Sequence, residues 1–196
     1  MQPTGILSRF LKTKERLDRP PPGKSNYGYT GHLFATILFE ELGRHIPRRY
    51  TLVRGPLWVH GLEWVEWDGA VTKSVLPDNS VALYEPEDII ALFEIKTRGV
   101  YGGEKEVTKA LNNIAENFRD ARKHCQNCRQ CIYVTLQERK PKRETSVPYY
   151  QRTKDILEPV CLIAVLFESP VDNKPVSQAK PCPGEWKRLI ETLQAL

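Results

Sequence analysis

The sequence predicts an α/β domain, a central mixed β-sheet flanked by helices on both faces. Two stretches, residues 88–97 and 160–167, are apolar on both alternating faces, as strands covered from either side are. Between them, residues 104–124 space Val107, Ala110, Leu111, Ile114, Ala115 and Phe118 at helical intervals, so a helix carries the chain back over the sheet. Upstream, residues 50–71 are rich in β-branched and aromatic side chains set between turn signals, which reads as a meander of strands. Strands and helices mixed in this order need helices on both faces to bury the sheet.

Each element follows from its own residues. Residues 1–29 form a basic, proline-rich segment with Arg9, Lys12, Lys14, Arg16, Arg19, Lys24 and the run Pro20-Pro21-Pro22-Gly23. It reads as a short amphipathic stretch and a stiff linker, a solvated tail ahead of the domain. Thr30 can cap a helix through Leu42 whose buried stripe is Leu33, Phe34, Ile37 and Leu38. The same spacing puts Glu41 in the middle of the apolar face and Glu40 at its margin. Strands follow at 50–54, 56–60 and 64–71, then a loop at Pro77-Asp78-Asn79 and the central strand 88–97. Gly99, Gly102 and Gly103 make a loop before the helix 104–124, and 132–136 is a further strand. Arg139-Lys140-Pro141-Lys142-Arg143, with Tyr149 and Tyr150 after it, suits a loop that contacts phosphate. Residues 169–184 are proline-rich and polar, and a final amphipathic helix spans 185–196. The expected division is a 1–29 segment, a 30–168 domain, and a 169–196 linker and helix that packs on the domain or on a partner.

With 196 residues and 22.6 kDa, the chain can bury one substantial core. Its 29 Lys and Arg against 24 Asp and Glu leave a net charge of +5, which permits a phosphate-rich partner without requiring one. No apolar run approaches a membrane span and the amino terminus lacks a secretory layout, so the expectation is a cytoplasmic protein without membrane contact. Five cysteines are an odd number and too sparse for a disulfide scaffold.

Chemistry concentrates at the end of the central strand. Alternation places Ile90, Leu92, Glu94 and Lys96 on one face, with Phe93 and Ile95 on the other. A Glu-x-Lys is most simply an exposed ion pair. Here it ends a strand apolar on both faces, at the end of an α/β sheet where ligands collect, and a glycine-rich loop follows. Asp68, in Glu66-Trp67-Asp68-Gly69-Ala70-Val71, belongs to the preceding strand and can lie beside Glu94.

Asp68, then Glu94-Ile95-Lys96 on an apolar strand, then a helix and another strand, resembles the PD-(D/E)xK nuclease superfamily and its restriction-endonuclease-like fold. The resemblance spans residues 30–167 by order of elements; Trp67 stands where the written motif has proline. It implies that Asp68 and Glu94, with the Ile95 carbonyl, hold Mg2+ (or Mn2+), and that Lys96 positions water or stabilises the transition state. It also implies a glutamate from the first helix, Glu41 or else Glu40; either can instead pair with Arg44, Arg48 or Arg49. Glu66 is a further ligand or an exposed partner for a lysine. Arg98, Lys105 and Lys109 are expected on the nucleic-acid backbone, with DNA as substrate and RNA an alternative. The expected activity is thus magnesium-dependent hydrolysis of phosphodiester bonds in DNA. The rival is a catalytically inactive nucleic-acid-binding or protein-interaction module on the same fold; a third reading is an unrelated α/β enzyme in which Glu94 and Lys96 are structural.

Two features fall outside that reading. Cys125, Cys128 and Cys131 recur at every third residue beside His124, with Cys161 and Cys182 farther on. A metal there needs a fourth ligand, so Cys131 and Cys161 fit better as small buried residues. The terminal helix presents Trp186, Leu189, Ile190 and Leu193, a face for a homodimer that cuts both strands of a duplex or for the chain's own domain.

Overall fold

The computed structural model describes residues 3–17, 27–73, 82–98, 104–137, 149–168 and 180–196. Five α-helices among them are α1 (Pro3–Leu17), α2 (Tyr27–Leu42), α3 (Glu104–His124), α4 (Tyr149–Leu157) and α5 (Pro183–Gln194). The strands are β1 (Thr51–Val59), β2 (Trp67–Thr72), β3 (Leu83–Tyr84), β4 (Ile89–Arg98), β5 (Gln130–Gln137), β6 (Leu162–Glu168) and β7 (Lys180–Pro181). They form one seven-stranded sheet in the order β3-β1-β2-β4-β5-β6-β7.

The apolar run of β4 has the expected cause. It pairs antiparallel with β2 and parallel with β5, so both edges are occupied. Ala91, Phe93 and Ile95 enter one core layer with Ile6, Leu7 and Phe10 of α1, the apolar stripe of α2, and Trp186, Leu189 and Leu193 of α5. Leu92 enters the opposite layer with Trp67, Ala70, Tyr133, Ile163 and Leu157, under Val107, Leu111, Ala115 and Phe118 of α3. Trp67 is fully buried and stacks on Phe118 with ring centroids 5.5 Å apart. Such a pair contributes about 0.5–1.5 kcal/mol beyond its area.

Several elements depart from the sequence reading. The amino-terminal stretch is not a solvated tail: α1 lies along α2, with Phe10 edge-on to Phe34 at 6.1 Å. α2 begins at Tyr27 rather than Thr30. The two short strands expected at 50–60 are one strand, β1, because Gly55 and Pro56 are absorbed as a register irregularity between Arg54 and Leu57 rather than forming a turn. α5 buries its own apolar face against β6 in the same chain. The glycine loop at 99–103 and the basic stretch at 139–143 lie outside the described residues.

Gly69 decides how closely α2 meets the sheet. A Cβ there would run into the Phe39 ring and the Val53 carbonyl, so only glycine lets α2 settle over β2 at this point. Phe39 then packs edge-on to Phe93 at 5.3 Å.

Candidate active site

β2 and β4 run antiparallel with Gly69 opposite Phe93 and Ala70 opposite Leu92. The next step of that ladder sets Asp68 beside Glu94, and alternation turns both side chains to the α3 side with Ala70 and Leu92. Asp68 is half-buried, and its Oδ2 accepts a hydrogen bond from the Ile95 N–H at 2.6 Å. This bond ties the carboxylate to β4 across the strand boundary. Lys96 is on the same face, with Nζ 2.5 Å from Glu94 Oε1. Its side chain is 38% exposed against 16% for Glu94, so the pair sits at the rim of the core with the ammonium outward.

The electrostatics follow from that depth. Burial pushes the Glu94 carboxyl above its usual range; Lys96 opposes the shift, while Asp68 and Glu66 reinforce it. For Lys96, burial alone would lower its pKa, but the Glu94 carboxylate, their hydrogen bond and Asp68 outweigh it and hold the proton on. A further cation among these carboxylates would ease the ionisation that Glu94 resists. Among the described residues, no three His, Cys, Asp or Glu side chains are grouped so as to hold a metal ion. Two carboxylates and a backbone carbonyl are nonetheless a hard-oxygen set of the size magnesium accepts, with water completing its shell.

The first-helix carboxylate is not brought to this edge. α2 starts beside the carboxyl end of β4, where a Cβ on Gly31 would lie 3.9 Å from Thr97 Oγ1. Glu41 is about 15 Å farther along the axis. It is 3% exposed, as its place in the apolar stripe requires, and takes Arg44 Nη1 at 2.7 Å with His45 Nε2 at 4.0 Å. Glu40 pairs with Arg9 of α1. Both helix carboxylates therefore sit in ion pairs on the α1–α2–α5 side, across the sheet from Asp68 and Glu94. Helical spacing gave the depth of Glu41 but not the face of the sheet it meets.

Other expected residues are placed as follows. Glu66 is exposed just before β2 and close enough to act on Glu94. Lys105 and Lys109 are exposed on α3 and line a cleft of about 740 Å³ with Thr108, Asn112 and Asn113. Arg98 closes β4 opposite Gln137; its side chain lies outside the described residues. Cys131 and Cys161 are buried in and beside strands. Sequence reasoning passed over Thr135 and Gln137, buried polar residues of β5 that neighbour Lys96 and Arg98. The signal was available, since both break the apolar run of β5 at alternating positions.

No family model and no curated protein matches this sequence. Solved structures do. NucC of P. aeruginosa ATCC27853 in its cAAA-bound form aligns with TM-score 0.54 and 11% identity, over 100% of this chain and 91% of that one. The cAAA-bound form of NucC from E. coli MS115-1 aligns with TM-score 0.55 and 12% identity, over 100% and 90%. At such identity the likeness speaks for the fold alone: this chain has a restriction-endonuclease-like α/β fold, as its sequence predicts.

Proposed function

We propose that this protein is a magnesium-dependent nuclease that hydrolyses phosphodiester bonds of DNA, with Asp68, Glu94 and Lys96 at its centre. The observation that carries the reading is the convergence of two carboxylates and an ammonium on one face of β2 and β4, within this fold. Asp68 and Glu94, with the Ile95 carbonyl, would hold Mg2+ (or Mn2+), which when bound lowers the pKa of water and offsets charge developing on phosphate. Asp68 is held for this by the Ile95 N–H, which fixes one of its oxygens and leaves the other to bind. Lys96 keeps its proton, so it acts as a cation that orients an attacking water or steadies the phosphate, not as a base. Lys105 and Lys109, and Arg98 at the end of β4, would hold the backbone of the substrate. DNA bound along α3 would then have its phosphates beside the carboxylate edge.

One observation favours a silent binding module instead. Lys96 occupies Glu94 Oε1 directly, and a ligand carboxylate held this way must release the ammonium to take a cation. Calorimetric titration of Mg2+ and Mn2+ into wild type, Asp68→Ala and Glu94→Ala separates the readings. Binding in wild type that both variants lose supports the nuclease, and no binding in wild type supports the silent module. Because both NucC structures are cAAA-bound forms, cleavage of labelled single- and double-stranded DNA is assayed with and without cAAA, so that a ligand requirement is not read as inactivity.

A further inference from the structure

The last residues of β5 break an otherwise apolar strand, and the break falls at the carboxylate edge. Thr135 and Gln137 are both buried. Alternation from Tyr133, in the layer under α3, carries them to the face that holds Glu94 and Lys96. The parallel ladder sets Thr135 beside Lys96 and Gln137 beside Arg98, farther toward the open end of the sheet. Neighbouring strands lie about 4.8 Å apart, so the Gln137 side chain is within reach of a phosphate held at Lys96.

The two polar groups are not used alike. Thr135 Oγ1 donates to the Gln137 carbonyl at 3.2 Å, which satisfies the hydroxyl and ties down the strand end. The Gln137 residue is only 5% exposed, yet among the described residues its side-chain amide has no hydrogen-bond partner. Lys96, diagonally across the ladder, gives its ammonium to Glu94 instead. Unlike Trp67 Nε1 on the same side of the sheet, the amide is not sealed from solvent. Burying an amide without a partner costs free energy that an apolar side chain in its place would not. A primary amide also has the right chemistry for this edge. It is neutral and donates two N–H bonds, so it can hold a phosphate oxygen without adding a third carboxylate or a second ammonium beside Glu94 and Lys96.

We propose that Gln137 is a substrate-binding residue, whose amide N–H donates to a phosphate oxygen of the nucleic-acid strand lying over Asp68, Glu94 and Lys96. The inference rests on the nuclease reading and adds a neutral contact to it. The hydrogen bond that the free protein lacks forms when the strand binds. Because a neutral amide displaces no counterion from the phosphate, this contact raises affinity without steepening its salt dependence, as Lys105 and Lys109 would.

The test measures binding of labelled single- and double-stranded DNA by fluorescence anisotropy in EDTA over a salt series, with thermal melting and with cleavage in Mg2+. The proteins are wild type, Gln137→Met, which keeps the length but cannot donate, and Gln137→Glu, which keeps the shape and sets a negative charge where the phosphate would lie. Gln137→Met is expected to melt at or above the wild-type temperature and to bind DNA about tenfold more weakly at every salt concentration, with the salt slope unchanged. Gln137→Glu is expected to bind more weakly still. In the cleavage arm KM rises and kcat holds, because the contact is made before and during the reaction. DNA bound in EDTA and weakened in both variants, with no cleavage by wild type, would sink the nuclease reading and keep Gln137 as a phosphate contact. Affinity equal to wild type in Gln137→Met, with or without a fall in melting temperature, would overturn the proposal and leave the nuclease reading standing. Wild type that binds no DNA in EDTA or in Mg2+ would overturn both. Should Gln137→Met not fold, the affinity of Gln137→Glu decides alone, and a wild-type value overturns the proposal.

Discussion

Asp68 carries two duties at once. Its Oδ2 is committed to the Ile95 N–H, and its charge raises the cost of ionising Glu94. Asp68→Asn keeps the shape and the hydrogen bond but removes the charge, so it is expected to fold with near wild-type thermal stability and to lose metal binding by calorimetry. Asp68→Ala is expected to lose both the binding and some stability, about 1–3 kcal/mol, because the Ile95 amide is left without its acceptor. Lys96 is separable from the ligands. With its proton held on by Glu94, Lys96→Met is expected to bind metal at least as well as wild type, since Glu94 is freed, yet to cleave DNA about 10²–10³-fold more slowly. A Lys96→Met protein with unchanged turnover would show that the ammonium serves only the folded state. That Glu94 and Lys96 share a face with Leu92 was readable from period-two alternation, whereas Ile90, expected on that face too, enters the opposite layer past the register irregularity at Val71 and Thr72. The place of Glu41 was not readable, because helical spacing tells which residues are buried and says nothing of which side of the sheet they are buried against.

At the scale of the element, α2 meets β2 most closely where Phe39 lies over Gly69. Gly69→Ala forces the Phe39 ring away, and thermal denaturation is expected to show a loss of about 1–3 kcal/mol. Phe39→Ala removes the other half of the contact and leaves a cavity beside Phe93, with an expected loss of about 3–5 kcal/mol. An unchanged melting temperature in Gly69→Ala would mean that α2 does not sit where the fold has it. The elements legible in the sequence were those whose burial is complete on a regular period. α3 ends where its apolar spacing ends, at His124, and β4 is apolar on both faces because β2 and β5 occupy its edges. α4 was not legible, since nine residues give barely two turns of pattern. β3 and β7 have two residues each and owe their existence to the strand beside them. Gly55-Pro56 imitates a turn by composition, but pairing with β2 on either side carries β1 through it. The proline-rich composition around residue 20 concealed that Ile6, Leu7 and Phe10 belong to the core.

Across the whole molecule, the net charge of +5 is small, so binding to a polyanion depends on where the charges stand. The exposed lysines of α3 lie over the sheet face that carries Glu94 and Lys96. If they hold phosphates, Lys105→Ala with Lys109→Ala should flatten the salt dependence of DNA affinity, measured by fluorescence anisotropy, by a slope of about 1.8, two phosphate contacts at ~0.9 each. An unchanged slope would move the DNA to another surface. The α5 helix closes the far side of the sheet, where Trp186 and Leu189 fill the layer under α1 and α2. The most direct test of the nuclease reading is cleavage of labelled double-stranded DNA by wild type and by Glu94→Ala, each with Mg2+ and with EDTA, in the presence and absence of cAAA. Cleavage by wild type that requires Mg2+ and vanishes in Glu94→Ala is the expected result; equal cleavage by both proteins, or intact DNA in every arm despite a folded wild type, would contradict it.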